Sequence, residues 1–275
     1  MTQRRRTIGR EALFGGIGVH SGERTSVKIS PMENSGGICF KFGERVYPIR
    51  SAAVTDTTRC TKITFPGGEA IRTAEHLLAA VVGLRLDDVL IEPRGSEIPI
   101  MDGSAAPFAA GLKEAGIAEK DEISLAAGIS SPVCIDRGDA SIMALPSDEL
   151  RFTYIVNYGA LLGVEMKDVI MTQDSFENEI APARTFVLAS EVEALLAAGI
   201  GLGGDESCVM IMGLNGAAGG YRVESECASH KLLDLMGDLA LVGGAITAHY
   251  ICIRGGHWLH ALLASRLRGL GKGRA

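Results

Sequence analysis

Ser229-His230-Lys231-Leu232-Leu233-Asp234-Leu235-Met236-Gly237-Asp238-Leu239 lies within Glu224 to Val242, the longest helix that the sequence predicts. At about 100° per residue, Asp234, Gly237 and Asp238 fall within about 80° of His230. Leu232, Leu235, Met236, Leu239 and Val242 occupy the other side, with Leu233 at the border, so an apolar face is set against a stripe that holds a histidine and two carboxylates. A solvated face is the plain alternative, but such faces are usually built from Lys and Glu. His-x-x-x-Asp brings two ligand atoms to one side of a helix within reach of one ion, a spacing that is weak by itself.

Outward from this helix, Tyr250-Ile251-Cys252-Ile253 reads as a strand and Leu259 to Leu270 as a terminal helix. Upstream, strands are expected at Val133 to Ile135, Ser141 to Leu145 and Leu150 to Val156. A helix from Phe186 to Ala198, closed by Gly199, and a strand at Cys208 to Met212 make a strand–helix–strand insertion at about 186–212. The first part of the chain repeats the plan. Strands are expected at Ser26 to Ile29, Ile38 to Phe42, Val46 to Ile49 and Val89 to Glu92, with helices over Ile71 to Leu84 and Pro107 to Ala115. Each part has a histidine just before paired leucines, His76-Leu77-Leu78 and His230-Lys231-Leu232-Leu233, as a duplication would leave. The charged segment Ala118 to Glu122 is the expected connector, dividing the chain into 1–121 and 122–275.

The 275 residues carry 27 basic and 33 acidic side chains, a formal charge of −6, and are 47% hydrophobic, which describes a globular chain rather than a disordered one. No basic stripe suits nucleic acid. Arg4-Arg5-Arg6 is not followed by the unbroken apolar stretch of an export signal, and no run approaches the roughly 20 apolar residues of a membrane span. A cytoplasmic protein is therefore expected. The six cysteines form no C-x-x-C pair, so neither a disulfide framework nor a cysteine-built metal site is expected.

Two further elements carry chemistry. His76 follows Glu75 near the start of a helix, where free N–H groups favour a carboxylate. In Arg254-Gly255-Gly256-His257, two glycines between a strand and a helix let a histidine project from the sheet end. A catalytic zinc needs three His or carboxylate ligands, an open position for water, and a separate base and acid; the chain offers each part. It lacks a His-Glu-x-x-His motif, a Walker loop and a Gly-x-Ser-x-Gly elbow, and Gly16-Ile17-Gly18 does not complete the dinucleotide pattern.

Six blocks stand in order along nearly the whole chain: Gly16-Ile17-Gly18-Val19-His20-Ser21-Gly22, Thr73-Ala74-Glu75-His76-Leu77-Leu78-Ala79-Ala80, Ile98-Pro99-Ile100-Met101-Asp102-Gly103-Ser104-Ala105, Ala183-Arg184-Thr185-Phe186, His230 to Leu239, and Gly255-Gly256-His257. In these the sequence resembles the UDP-3-O-acyl-N-acetylglucosamine deacetylases, zinc enzymes of lipid A biosynthesis. The resemblance implies that His76, His230 and Asp234 hold Zn2+, with Glu75 as general base and His257 as the acid or charged stabiliser near the leaving amine, oriented by Asp238. It further implies that Thr185 steadies the oxyanion, that Phe186 packs on an acylated UDP-N-acetylglucosamine substrate, and that Lys231 lies near its diphosphate. Arg254 stands where a substrate-binding lysine is frequent, and His260 where asparagine is usual. The implied fold is α+β, with two similar domains whose helices pack between two sheets, each domain bearing a small insertion, the second forming a passage for the acyl chain. His20, Met101, Asp102 and Ser104 read as structural, and His249 and His260 likewise. A paralogue acting on another N-acetylated sugar and an inactive zinc-binding module are the alternatives.

Overall fold

The computed structural model describes residues 2–125, 127–159 and 163–270. In chain order the α-helices are α1 (Glu75–Gly83), α2 (Ala106–Glu114), α3 (Gln173–Ser175), α4 (Val192–Ala197), α5 (Glu226–Leu239) and α6 (His257–Leu270). Two five-stranded sheets frame them. The first has the order Ala12–Ile17, Arg24–Pro31, Val89–Arg94, Ile38–Phe42, Arg45–Pro48, its central strand antiparallel to Arg24–Pro31 and parallel to Ile38–Phe42. The second has the order Val133–Arg137, Ala140–Leu145, His249–Ile253, Arg151–Asn157, Val164–Ile170, with the same directions around its central strand. A parallel pair requires a long crossover, and α1 lies in one crossover and α5 in the other.

Alternation aims each sheet at the core: Thr25, Val27 and Ile29 are buried along one strand, Phe152, Tyr154 and Val156 along another. Helix α1 is apolar on every side, with Leu77 through Val81 all buried, as suits a helix enclosed by protein. It packs against α5, and α5 and α6 pack on the second sheet, so that one continuous apolar core runs through both halves. Gly237 permits this closeness, since a Cβ there would overlap the backbone carbonyl of Glu75. The architecture is the α+β fold expected, with helices between two sheets.

Four local readings are corrected. Ile71 ends a short strand and Thr73 turns through the left-handed region at φ 57°, so α1 starts at Glu75 rather than Ile71. Phe186–Leu188 is a strand and Ala189–Glu191 a 3-10 turn before α4, because Phe186–Leu188 pairs in parallel with Met210–Met212. The long helix gives way to a 3-10 turn at Ala240–Val242. The charged connector is part of a strand, Ile117–Leu125, paired with Thr2–Ile8; Arg6 stands opposite Glu119, and Arg4 reaches Asp121 at 3.2 Å. Its consecutive charges, Glu119 to Glu122, lie between Ile117 and Ile123 and answer the arginines across the pair, which a composition-based reading takes for a solvated linker.

Candidate metal centre and active site

Thr73 and Ala74 turn the chain so that Glu75 and His76 open α1 facing α5. There His230 and Asp234, one turn apart, meet them. The stripe read as amphipathic is buried: His230, Asp234 and Asp238 are each at most 2% exposed. Asp234 Oδ1 is 3.4 Å from His230 Nε2 and 3.7 Å from His76 Nε2, and one ligand atom from each residue falls within a 4.8 Å cluster.

His230 and Asp234 are in the states an ion requires. His230 Nδ1 lies 3.0 Å from the Ala183 carbonyl oxygen, which can only accept, so its hydrogen sits there and Nε2 keeps a lone pair. Burial pushes the His230 imidazole down to about 3, which keeps it neutral. Burial works against ionisation of Asp234, but the Lys231 ammonium at 2.8 Å holds its carboxyl well below the usual range. His76 Nδ1 is buried with no hydrogen-bond partner among the described residues. Two imidazoles and a carboxylate fit a divalent metal.

Two proton carriers border the cluster. Glu75 Oε1 is 3.9 Å from His257 Nε2, and the same nitrogen is 3.8 Å from Asp234 Oδ2. The Thr61 backbone N–H donates to Glu75 Oε2 at 3.4 Å. Burial raises the Glu75 carboxyl to about 7. For His257 burial acts downward, but the Asp238 and Asp234 carboxylates prevail and lift it to about 9. Near neutral pH one group can accept a proton while the other can donate one. Behind His257, Asp238 Oδ2 lies 2.8 Å from His257 Nδ1 and 2.9 Å from His260 Nδ1, and Asp238 Oδ1 accepts from the Thr61 hydroxyl at 2.5 Å.

A cavity of about 160 Å3 opens over these groups, lined by Glu75, His76, His230, Lys231, Asp234, His257 and Thr185 at its polar end. Val187, Val192, Leu195, Leu196, Val209 and Ile211, all from the second insertion, make an apolar arm. Phe186 lines the cavity too, its ring 6.2 Å from that of His230 and 5.6 Å from Lys231 Nζ. Arg254 is not brought in: its side chain is 42% exposed and paired with Asp139 at 2.7 Å. His249 also lies apart, bonded to Thr153 at 2.8 Å. Thr61 gave no signal in the sequence, being one threonine in a loop. His20, read as structural, lines the cavity as well.

The profile of a family described as UDP-3-O-acyl N-acetylglycosamine deacetylase matches residues 5–268. The UDP-3-O-acyl-N-acetylglucosamine deacetylase of Leptospira biflexa is 36% identical over 266 residues, 94% of this chain and 88% of that protein. The enzyme of the same name from Chlamydia trachomatis is 35% identical, with 95% of this chain and 94% of that protein covered, and that from Thermosynechococcus vestitus 35%, with 94% and 92% covered. With both helix-borne halves of the cavity inside the matched span, the chain belongs to the UDP-3-O-acyl-N-acetylglucosamine deacetylase family.

Proposed function

We propose that this chain hydrolyses the acetamide of UDP-3-O-acyl-N-acetylglucosamine, releasing acetate and leaving a free amine, in lipid A biosynthesis. The observation that carries the reading is the placement of Glu75 and His257 beside, and not within, a buried His76–His230–Asp234 cluster. The ion in this reading is Zn2+: atoms ~3.4 Å apart are what a tetrahedral site with bonds of 2.0–2.1 Å requires, and 3.4 and 3.7 Å are found. Bound there, zinc would lower the pKa of water toward ~7 and polarise the amide carbonyl.

The chain's own residues then divide the work. Glu75 takes the proton of the attacking water, one oxygen steadied by the Thr61 N–H. An amine is a poor leaving group until protonated, and His257 Nε2 supplies that proton, with Nδ1 held by Asp238. Thr185, on the cavity wall, steadies the oxyanion through its hydroxyl. Phe186 packs on the sugar, Lys231 meets the diphosphate, and the apolar arm takes the acyl chain. Residues 1–121 bring Glu75 and His76 in this reading, and 122–275 the rest. The reading places the enzyme in the cytoplasm; no helix among the described residues is long and apolar enough to cross a membrane.

Acetate release by the zinc-loaded protein from UDP-3-O-acyl-N-acetylglucosamine tests the reading, with unacylated UDP-N-acetylglucosamine as comparison. Turnover of the acylated substrate, lost in Glu75→Gln, is expected. Turnover confined to a different N-acetylated sugar would move the chain to the paralogous reading.

A further inference from the structure

His260 is completely buried, one helical turn after His257 in α6, and its Nδ1 reaches the same carboxylate oxygen, Asp238 Oδ2, at 2.9 Å against 2.8 Å for His257. An ionised carboxylate only accepts hydrogen bonds, so both imidazoles must carry hydrogen on Nδ1. For a neutral His260 this leaves Nε2 as a lone pair, and it faces the hydroxyl of Tyr154 at 3.1 Å and the thiol of Cys252 at 3.9 Å, both able to donate. Burial pushes the His260 imidazole down, which favours that neutral form. The hydrogen bonds therefore run one way, from Tyr154 through His260 to Asp238. With the Thr61 hydroxyl on the other oxygen, the carboxylate is held at both ends and cannot turn.

We propose that His260 is a positioning residue for deacetylation: backed by Tyr154, it fixes the rotamer of the Asp238 carboxylate and thereby the direction in which His257 presents Nε2. The proposal rests on the functional reading above and adds to it a residue that touches neither substrate nor metal cluster. Without His260, one lone pair of Asp238 Oδ2 is unfilled in a dry interior, and the carboxylate is free to rotate away from His257.

The test compares His260→Leu, which removes the donor, with His260→Asn, whose amide nitrogen occupies the position of Nδ1, in the zinc-loaded enzyme. His260→Leu should lower kcat about 10- to 100-fold, the range for lost outer partners of a metal site, with KM within about twofold and metal content unchanged. His260→Asn should recover most of kcat. In the nitrogen NMR spectrum of the parent, His260 should show a protonated Nδ1 and a bare Nε2, and Tyr154→Phe, which keeps the packing, should weaken that preference. Parental kcat in His260→Leu, failure of a folded His260→Asn to recover, or a bare Nδ1 on His260 would each overturn the proposal. The spectrum needs no substrate, so an enzyme inactive on the acylated UDP-sugar but showing this tautomer would refute the functional reading and leave the hydrogen-bond chain standing.

Discussion

The halves of the molecule share a strand order, the direction of every sheet neighbour and a crossover helix, yet they do unequal chemistry. In each, a second helix follows the central strand. In the first half it opens on Ala106 and turns Phe108 onto Phe14, ring centres 5.0 Å apart, as core packing. In the second it opens on His257, which faces the His76–His230–Asp234 cluster. The crossover helices differ likewise: α1 gives Glu75 and His76 from its first turn, whereas α5, five residues longer, gives His230, Asp234 and Asp238 from one buried stripe. Strand order follows from alternation and crossovers, which tolerate many sequences. Chemistry hangs on single residues at helix starts, which a duplicated frame can carry or omit.

If the site is divided between the halves as proposed, removing a ligand from either should cost the same. His76→Ala and His230→Ala should each weaken metal binding by well over the ~10- to 100-fold typical of outer partners, read by metal analysis after dialysis. Full stoichiometry and affinity in either variant would break the pairing. Glu75→Gln should keep the metal and lose ~10²–10⁴ in rate; loss of metal instead would make Glu75 a ligand.

Each half also has one buried carboxylate held by arginine: Asp88, forked by Arg5 at 2.7 and 2.8 Å, and Glu226, bonded to Arg184 Nε at 2.8 Å. Glu226→Ala should destabilise by about 3–5 kcal/mol, since the buried Arg184 is left unpaired, and Asp88→Ala by less, since the Arg5 side chain is 21% exposed and water can reach it. Burial opposes ionisation at both, and the adjoining arginine helps bring each carboxyl below its ordinary value. Their stabilisation is then complete above the unfolded values near ~4 and is lost as pH falls through the folded ones. Acid unfolding of the parent, compared with Asp88→Asn, checks the sign: the variant's stability should depend less on pH in that window. The smallest effect concerns the join. Gly237→Ala, which forces α1 and α5 apart, should cost ~1–3 kcal/mol, while Gly244→Ala, with open space around its Cβ, should stay within ~0.5 kcal/mol. Equal melting temperatures would show that the helices do not need backbone contact.

Patterning made the sheets and the long helix legible, because burial on one face writes itself as alternation or as a stripe. The start of α1 was not legible, since the turn at Thr73 is imposed by its surroundings and is left-handed in a residue that seldom adopts it. The strand at Phe186 was lost because its partner, Met210–Met212, comes more than 20 residues later. At the site, spacing showed a stripe on α5 and local context marked His76 and His257; the motif blocks joined them into one site. Thr61 and His260 escaped because they act through Asp238, from a loop and from another helix, and no local pattern records such a meeting.

His76 lies about 150 residues before the other two proposed ligands, on the opposite side of the join between the halves. An ion gripped only when both helices are in register is linked thermodynamically to that register, and at a hundredfold excess over its Kd it adds about 2.7 kcal/mol to the folded state. Chelation would then act on this protein as a denaturant acts, and its tolerance of heat would follow the free-metal supply of the cell.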